Sequence, residues 1–330
     1  MVSATSDLTL ARTAAPGLGA RLRMLVRRSE ALRGHLLLSP TLLVMVGMLI
    51  MPIVALVAAS FWTQVYFDLD RTFTLKNYWT IIKPTGEIFY LWGFLPLPRL
   101  ETPIYVVLLG KSLMMSLIAT TVIILMAYPM AYFLAFRVMR HKILWIILIS
   151  VPFWTSYLLR VFAWKVILGY NGVINSGLIS LGLIEEPLQF LLYNPTSVII
   201  TLTHAWLAFA ILPIYVSLEK IDRSLLEAAT DLGDGPVQRF FRVTLPLSLP
   251  GTISSSLLVF IPTVGDYVTP TLVGGTSGIM IGNVIQTLFG KANNAPLGAA
   301  VSLTMMLVVT LIVCAFIWMT GYQRMRKRET

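Results

Sequence analysis

Six long stretches without charge, or nearly so, dominate what this chain can become. They run Leu36–Trp62, Ser112–Phe136, Ile143–Leu159, Ser197–Leu218, Thr252–Gly275, which holds a single acid, and Ala299–Met319. A helix rises about 1.5 Å per residue, so about 20 apolar residues cross the roughly 30 Å hydrocarbon core of a bilayer. Backbone in that core must satisfy its own polar groups, which a single run of this length does as a helix. The 330 residues are 57% hydrophobic and 12% charged, against about 25% charged for a soluble domain. The fold class expected is therefore an all-α integral membrane protein with six transmembrane helices. The first stretch spans 27 residues, beyond the 7–15 of a signal-peptide core, and is read as a retained span.

Basic residues fix the orientation, because loops rich in Lys and Arg stay on the cytoplasmic side. With the N-terminus inside, the inner segments carry 17 basic residues and the outer ones 6, with Arg160 and Lys165 set apart at the end of the third span. Both termini are expected on the cytoplasmic side of the membrane. The net charge of +10 sits at the ends of apolar runs rather than on one patch, which argues against a nucleic-acid partner and for membrane lipid. Residues 1–35 read as a basic N-terminal segment, 36–319 as the six-helix domain and 320–330 as a basic tail.

One cysteine, Cys314, excludes an intrachain disulfide, and His35, His141 and His204 lack metal-ligand spacing. The long outer segment 63–111, broken by Pro84, Gly86, Pro96, Pro98 and Pro103, is expected to fold as a small cap. A second outer segment turns at Asn171-Gly172 and is expected to carry a short surface helix over Leu188–Tyr193.

The most informative loop is 219–251, read as cytoplasmic. Asp222 or Ser224 can cap a helix running to Asp231, with Glu227 placed three residues after Ser224 for a capping box. Gly233 can take the left-handed conformation that stops it. Pro236 suits the first turn of a second short helix through Arg242, and Pro246 and Pro250 are expected to prevent its continuing into the membrane. Leu225, Leu226, Ala228, Ala229 and Leu232 would give the first helix an apolar surface.

Glu227-Ala228-Ala229, Gly233 after three residues, and Val243-x-Leu245-Pro246 after nine more resemble the EAA loop of ABC importer permeases. Val243 stands where that family has Ile. The resemblance implies a coupling helix seated in a groove of a separate ATPase subunit: Glu227 oriented against it, Ala228 and Ala229 packed in it, Gly233 making the turn and Leu245-Pro246 setting the return into the fifth span. Pro152-Phe153-Trp154-Thr155-Ser156 with Leu159-Arg160, Gly265 to Pro270, and Ile281-Gly282-Asn283 further resemble the spermidine/putrescine permease branch. That branch implies an ATPase dimer, a second and non-identical permease, and a periplasmic binding protein. Relatives of the branch import opines, phosphonates or amino-acid-like solutes, which stay open as substrates.

Charged groups within spans are costly and usually face protein or a wet cavity. By rise per residue, Arg160 and Asp266 both fall in the outer half of their spans. One reading pairs them across the pathway, with Asp266 attracting an amine and Trp154, Tyr157 or Tyr267 offering ring faces to a cation. The other makes them a structural pair, or has Arg160 and Lys165 reach the outer headgroups. Pro262 and Pro270 bracket Asp266 and are expected to break the helix there.

No phosphate loop is present: Gly110-Lys111-Ser112 supplies the tail, but Tyr105 holds the place of the first Gly. No catalytic cluster stands out either. The chain is read as a translocation subunit with no cofactor of its own, ATP and Mg belonging to the ATPase. An ion-driven secondary transporter is the alternative of a different class.

Overall fold

The computed structural model describes residues 30–66, 68–91, 95–101, 103–191 and 193–329. Most of the basic N-terminal segment thus lies outside the described residues. The chain divides into two compact units, Met1–Leu56 and Val57–Thr330.

In the first unit the described residues belong to helix α1, Glu30–Ser60, which ends beyond the unit boundary. Its span, Leu37–Ser60, has a mean hydropathy of 2.8. Leu37, Leu43 and Met48 are among its strongly exposed side chains.

The second unit begins with two antiparallel hairpins and a short helix. Strands β1 (Thr63–Val65) and β2 (Asp68–Asp70) pair first, helix α2 (Lys76–Ile82) follows, and β3 (Pro84–Leu91) pairs with β4 (Leu95–Leu100). Buried Asn77 donates its amide to the carbonyls of Ser60 and Trp62, both at 2.8 Å, which satisfies backbone groups freed where α1 ends.

Three long helices build the core: α3 (Ile104–Phe136), α7 (Pro195–Glu219) and α10 (Leu245–Val264) pack against one another. Ala127 and Ala131 of α3 and Ala210 of α7 are fully buried with Ile123, Ile211, Ile214 and Val259. Lipid tails are as apolar as these side chains, so packing rather than water exclusion holds the helices, and small residues let backbones approach. Polar bonds add to it. Ser255 donates to the Ala210 carbonyl at 2.9 Å, and the Tyr128 and Ser248 hydroxyls lie 2.7 Å apart.

Among the described residues five helices are long and apolar enough to cross a membrane, and six spans result when the bent pair Lys142–Trp154 and Tyr157–Ser180 is taken as one. The six-span reading holds, with one correction. The third span is not straight: α4 (Lys142–Ser150) runs into a 3₁₀ turn at Val151–Trp154, α5 (Tyr157–Leu168) follows, and the segments Lys142–Trp154 and Tyr157–Ser180 meet at 85°. Pro152 removes a backbone donor, and Thr155 and Ser156 are extended, with ψ of 147° and 135°. A straight rise through this span therefore does not give the position of Arg160.

The helix of the second loop segment is also placed differently. It is α6, Val173–Ser180, whereas the described residues of 188–193 include a 3₁₀ turn at Gln189–Leu191. The side chain of Asn175 spans the two, accepting from the Leu188 N–H at 2.9 Å.

After α7 come α8 (Arg223–Asp231), the single turn α9 (Pro236–Arg239), a π-turn at Phe240–Thr244, and then α10. Past α10 the chain breaks at Gly265–Tyr267 and makes a second π-turn at Pro270–Gly274. Helices α11 (Ile281–Phe289) and α12 (Ala295–Glu329) complete the unit.

Candidate functional site

Two polar interruptions flank α10, one at each end. At the near end, Asp222 caps α8 by accepting from the Ser224 N–H at 3.0 Å. This bond holds the Asp222 carboxyl below its ordinary value. The Ser224–Glu227 capping box is not formed. The helix starts at Arg223, which puts Glu227 in the second turn, too far along to reach back. Gly233 has φ +91°, and the Gly233 and Asp234 N–H groups close the helix end on the carbonyls of Thr230 and Ala229.

The apolar surface expected for this helix is divided between two faces. Ala229 is buried against its own chain at 7% exposure, and Leu226 packs against the α3–α7–α10 core. Glu227 and Ala228 are exposed, as are Leu225 and Leu232, the last at 89%. Of the two alanines expected in an external groove, Ala228 is exposed and Ala229 is covered by its own chain.

Pro246 and Pro250 do not stop the second helix, contrary to expectation. Leu245 donates to the Phe240 carbonyl, five residues back. That wider turn relieves the crowding a proline ring imposes on the carbonyl four residues before it. The chain from Pro236 to Val264 is one continuous span. Leu245 is half-buried and Pro246 exposed at its start. Phe240 fixes the junction from inside, with edge-on contacts to Tyr128 and Tyr132 at 5.6 and 6.2 Å. On the outside, Arg239 donates to the Thr230 hydroxyl at 2.8 Å, and Arg242 pairs with Asp234 at 2.6 Å.

At the far end, Asp266 sits in the break that its two flanking prolines predicted. One carboxylate oxygen accepts from the Val268 N–H at 2.9 Å and the Thr269 N–H at 3.5 Å, and the other from the Tyr157 hydroxyl at 2.6 Å. The Thr269 hydroxyl, fully buried, lies 2.7 Å from the Tyr157 oxygen. With its proton given to Asp266, Tyr157 accepts from Thr269. A carboxylate has about four acceptor positions, so room for a further donor remains.

Arg160 and Asp266 do not form the direct ion pair that was one expectation. The Arg160 guanidinium instead donates to the Ala205 carbonyl at 2.9 Å and lies 5.8 Å from the centre of the Tyr157 ring. The bend in the third span places Tyr157 between the two charges. Tyr267, 46% exposed, follows Asp266, while Trp154, 81% exposed, stands outside the cluster. Rings that the sequence reading did not single out complete the wall: Trp206 lies 6.2 Å from Tyr157 and 5.1 Å from Phe209.

The segment from the second break to the start of α11 is pinned by two helices, α7 and α3. Ser197 of α7 donates to the Val273 carbonyl at 2.7 Å, Ser112 of α3 accepts from the Ile281 N–H at 2.8 Å, and Lys111 donates to the Ser277 carbonyl. Gly110-Lys111-Ser112 lies inside α3, so these residues form a helix rather than a phosphate loop. Among the described residues no group of three His, Cys, Asp or Glu could hold a metal.

Residues 35–328 match the family of binding-protein-dependent transport system inner membrane components. The chain belongs to this family. This permease is 40% identical over 218 residues to the spermidine/putrescine transport system permease protein PotB of Escherichia coli, covering 66% of this chain and 79% of that one. It is equally similar to PotB of Haemophilus influenzae, over 66% and 76%. The inner membrane ABC transporter permease protein YdcU of Escherichia coli is 33% identical over 64% and 70%. Among solved structures, a bacterial ABC transporter that imports alginate aligns with a TM-score of 0.65 at 17% identity, over 92% of this chain and 99% of that one. At that identity the likeness speaks for the fold alone, which is that of type I importer permeases.

The permease is thus a multi-pass inner-membrane translocation subunit of an ABC importer rather than an enzyme or an ion-driven carrier. It works with the other components of a binding-protein-dependent system.

Proposed function

We propose that this permease imports polyamines such as spermidine and putrescine, with Asp266 as the acceptor for a substrate ammonium and the segment 223–239 as the docking element for an ATPase subunit. The observation that carries the reading is the Asp266 carboxylate, held in a helix break by Tyr157, Val268 and Thr269 with about one of its four acceptor positions to spare. A cation beside Tyr157 and Tyr267 gains both charge pairing and ring-face attraction. The names of the PotB relatives support the same substrate class.

In this reading Glu227 and Ala228, with the exposed Leu225 and Leu232, meet the ATPase, while Gly233, Leu245 and Pro246 shape the joint to α10. An ATPase dimer holds ATP and Mg, a second and non-identical permease completes the pore, a periplasmic binding protein delivers the substrate, and this chain binds no cofactor of its own. Both termini are cytoplasmic, as the distribution of basic residues argues.

The test is uptake of labelled putrescine and spermidine into proteoliposomes holding the whole assembly. ATP-dependent uptake of both, competed by unlabelled polyamine and not by an opine, a phosphonate or an amino acid, is the expected result. ATP hydrolysis without polyamine uptake would overturn the substrate class.

A further inference from the structure

The turn that carries Asp266 is fastened by residues that touch neither of its carboxylate oxygens. Asn283, in the first turn of α11, donates its amide to the Tyr267 carbonyl at 3.0 Å and to the Thr271 hydroxyl at 2.7 Å. Its oxygen accepts from the Met280 N–H at 3.0 Å. The Thr271 hydroxyl donates in turn to the same Tyr267 carbonyl at 2.6 Å. One side chain therefore ties together residues 267, 271 and 280, which lie before, within and after the second π-turn.

Gly282 presses on the same turn from beside it. A Cβ there would lie 2.6 Å from the Gly265 carbonyl oxygen and 2.8 Å from that of Asp266. Contacts that short to backbone oxygens force one of the two segments to move. Any side chain at 282 would thus shift the start of α11 and the peptide that carries Asp266 relative to one another.

We propose that Gly282 and Asn283 are positioning residues: they clamp the start of α11 onto residues 265–271 and so set where the Asp266 carboxylate meets a substrate ammonium. The inference rests on the reading of Asp266 given above and deepens it. A break in a membrane helix has few intrahelical bonds to define it, so bonds from a neighbouring element decide its geometry. An acceptor misplaced by about 1 Å loses much of its effect, even with its charge intact.

The readout is putrescine imported per ATP hydrolysed, measured in proteoliposomes holding the full assembly with saturating binding protein. A merely structural role would lower uptake and hydrolysis together. Asn283→Ala removes two donors to the turn and is expected to lower the ratio about tenfold, with ATP hydrolysis unchanged. Gly282→Ala should act in the same direction. Thr271→Val should lower the ratio about threefold, and Thr271→Ser, which keeps the hydroxyl, should match the wild type.

In an Asp266→Asn background Asn283→Ala should add nothing, because it acts through a group already disabled. Full additivity there would overturn the clamp and leave the Asp266 reading standing. A normal ratio in Asp266→Asn alone would overturn that reading itself. If Asn283→Ala fails to assemble, the Thr271 pair decides, and equal ratios for Thr271→Val and Thr271→Ser overturn the proposal.

Discussion

The two ends of α10 solve the same problem in opposite ways. Each is a polar interruption built around proline and a π-turn. The loop 219–251 keeps its distinctive face outward, with Glu227, Ala228 and Leu232 exposed, and its ion pair between Arg242 and Asp234 lies at the surface. The break at Asp266 and the π-turn after it turn inward, and their bonds run to α5, α7 and α11. The first arrangement suits contact with another protein and the second suits holding one charge in a fixed place. The continuous helix between them, one span from Pro236 to Val264, gives a movement at either end a stiff path to the other.

The comparison breaks most visibly at Gly233. Its φ of +91° is closed to proline, which needs about −65°. Gly233→Pro is expected to lower ATP-driven uptake at least about a hundredfold, seen as near-background accumulation with assembly intact. Asp266→Asn comes next. A hydrogen bond to a charged group contributes about 1.5–3 kcal/mol, so about ten- to a hundredfold less putrescine should enter per ATP, with hydrolysis preserved.

The shared helix core sharpens the contrast by failing at both ends. Ala131 is fully buried against α7 and α10, and Ala131→Leu should cost about 1–3 kcal/mol from overpacking. A lower melting temperature of the purified permease in detergent, with uptake and hydrolysis falling together, is the expected signature.

The smallest effect belongs to the exposed cap at Asp222. The Ser224 N–H holds its carboxyl below the ordinary 3.8. A depressed folded value means the cap is fully effective above that ordinary value and is lost only as pH falls through the lower one. Coupling should therefore show no change from this group between pH 8 and 5. Asp222→Asn, which still caps, should match the wild type, and Asp222→Ala should show a slight loss in coupled uptake.

The exposed end was far more legible in the sequence than the buried one. Gly233, the Asp222 cap and the α8 boundaries follow from local chemistry that spacing displays directly. The prolines at 246 and 250 misled because a π-turn absorbs what would otherwise end a helix, and no local pattern announces it. At the buried end, Pro262 and Pro270 announced the break around Asp266, yet the partners came from elsewhere in the chain. Tyr157 reaches Asp266 only because the third span bends at Pro152–Ser156, and Asn283 acts from the next helix. The burial of Ala229 was likewise hidden, since a helix with apolar residues on two faces does not say which one its own chain covers.

Measuring putrescine uptake and ATP hydrolysis side by side in proteoliposomes, for Gly233→Pro and Asp266→Asn in the full assembly, tests the division of labour most directly. The account predicts that Gly233→Pro loses both together, while Asp266→Asn hydrolyses ATP normally and imports little. Normal import per ATP in Asp266→Asn, or substrate-coupled hydrolysis surviving in Gly233→Pro, would contradict it.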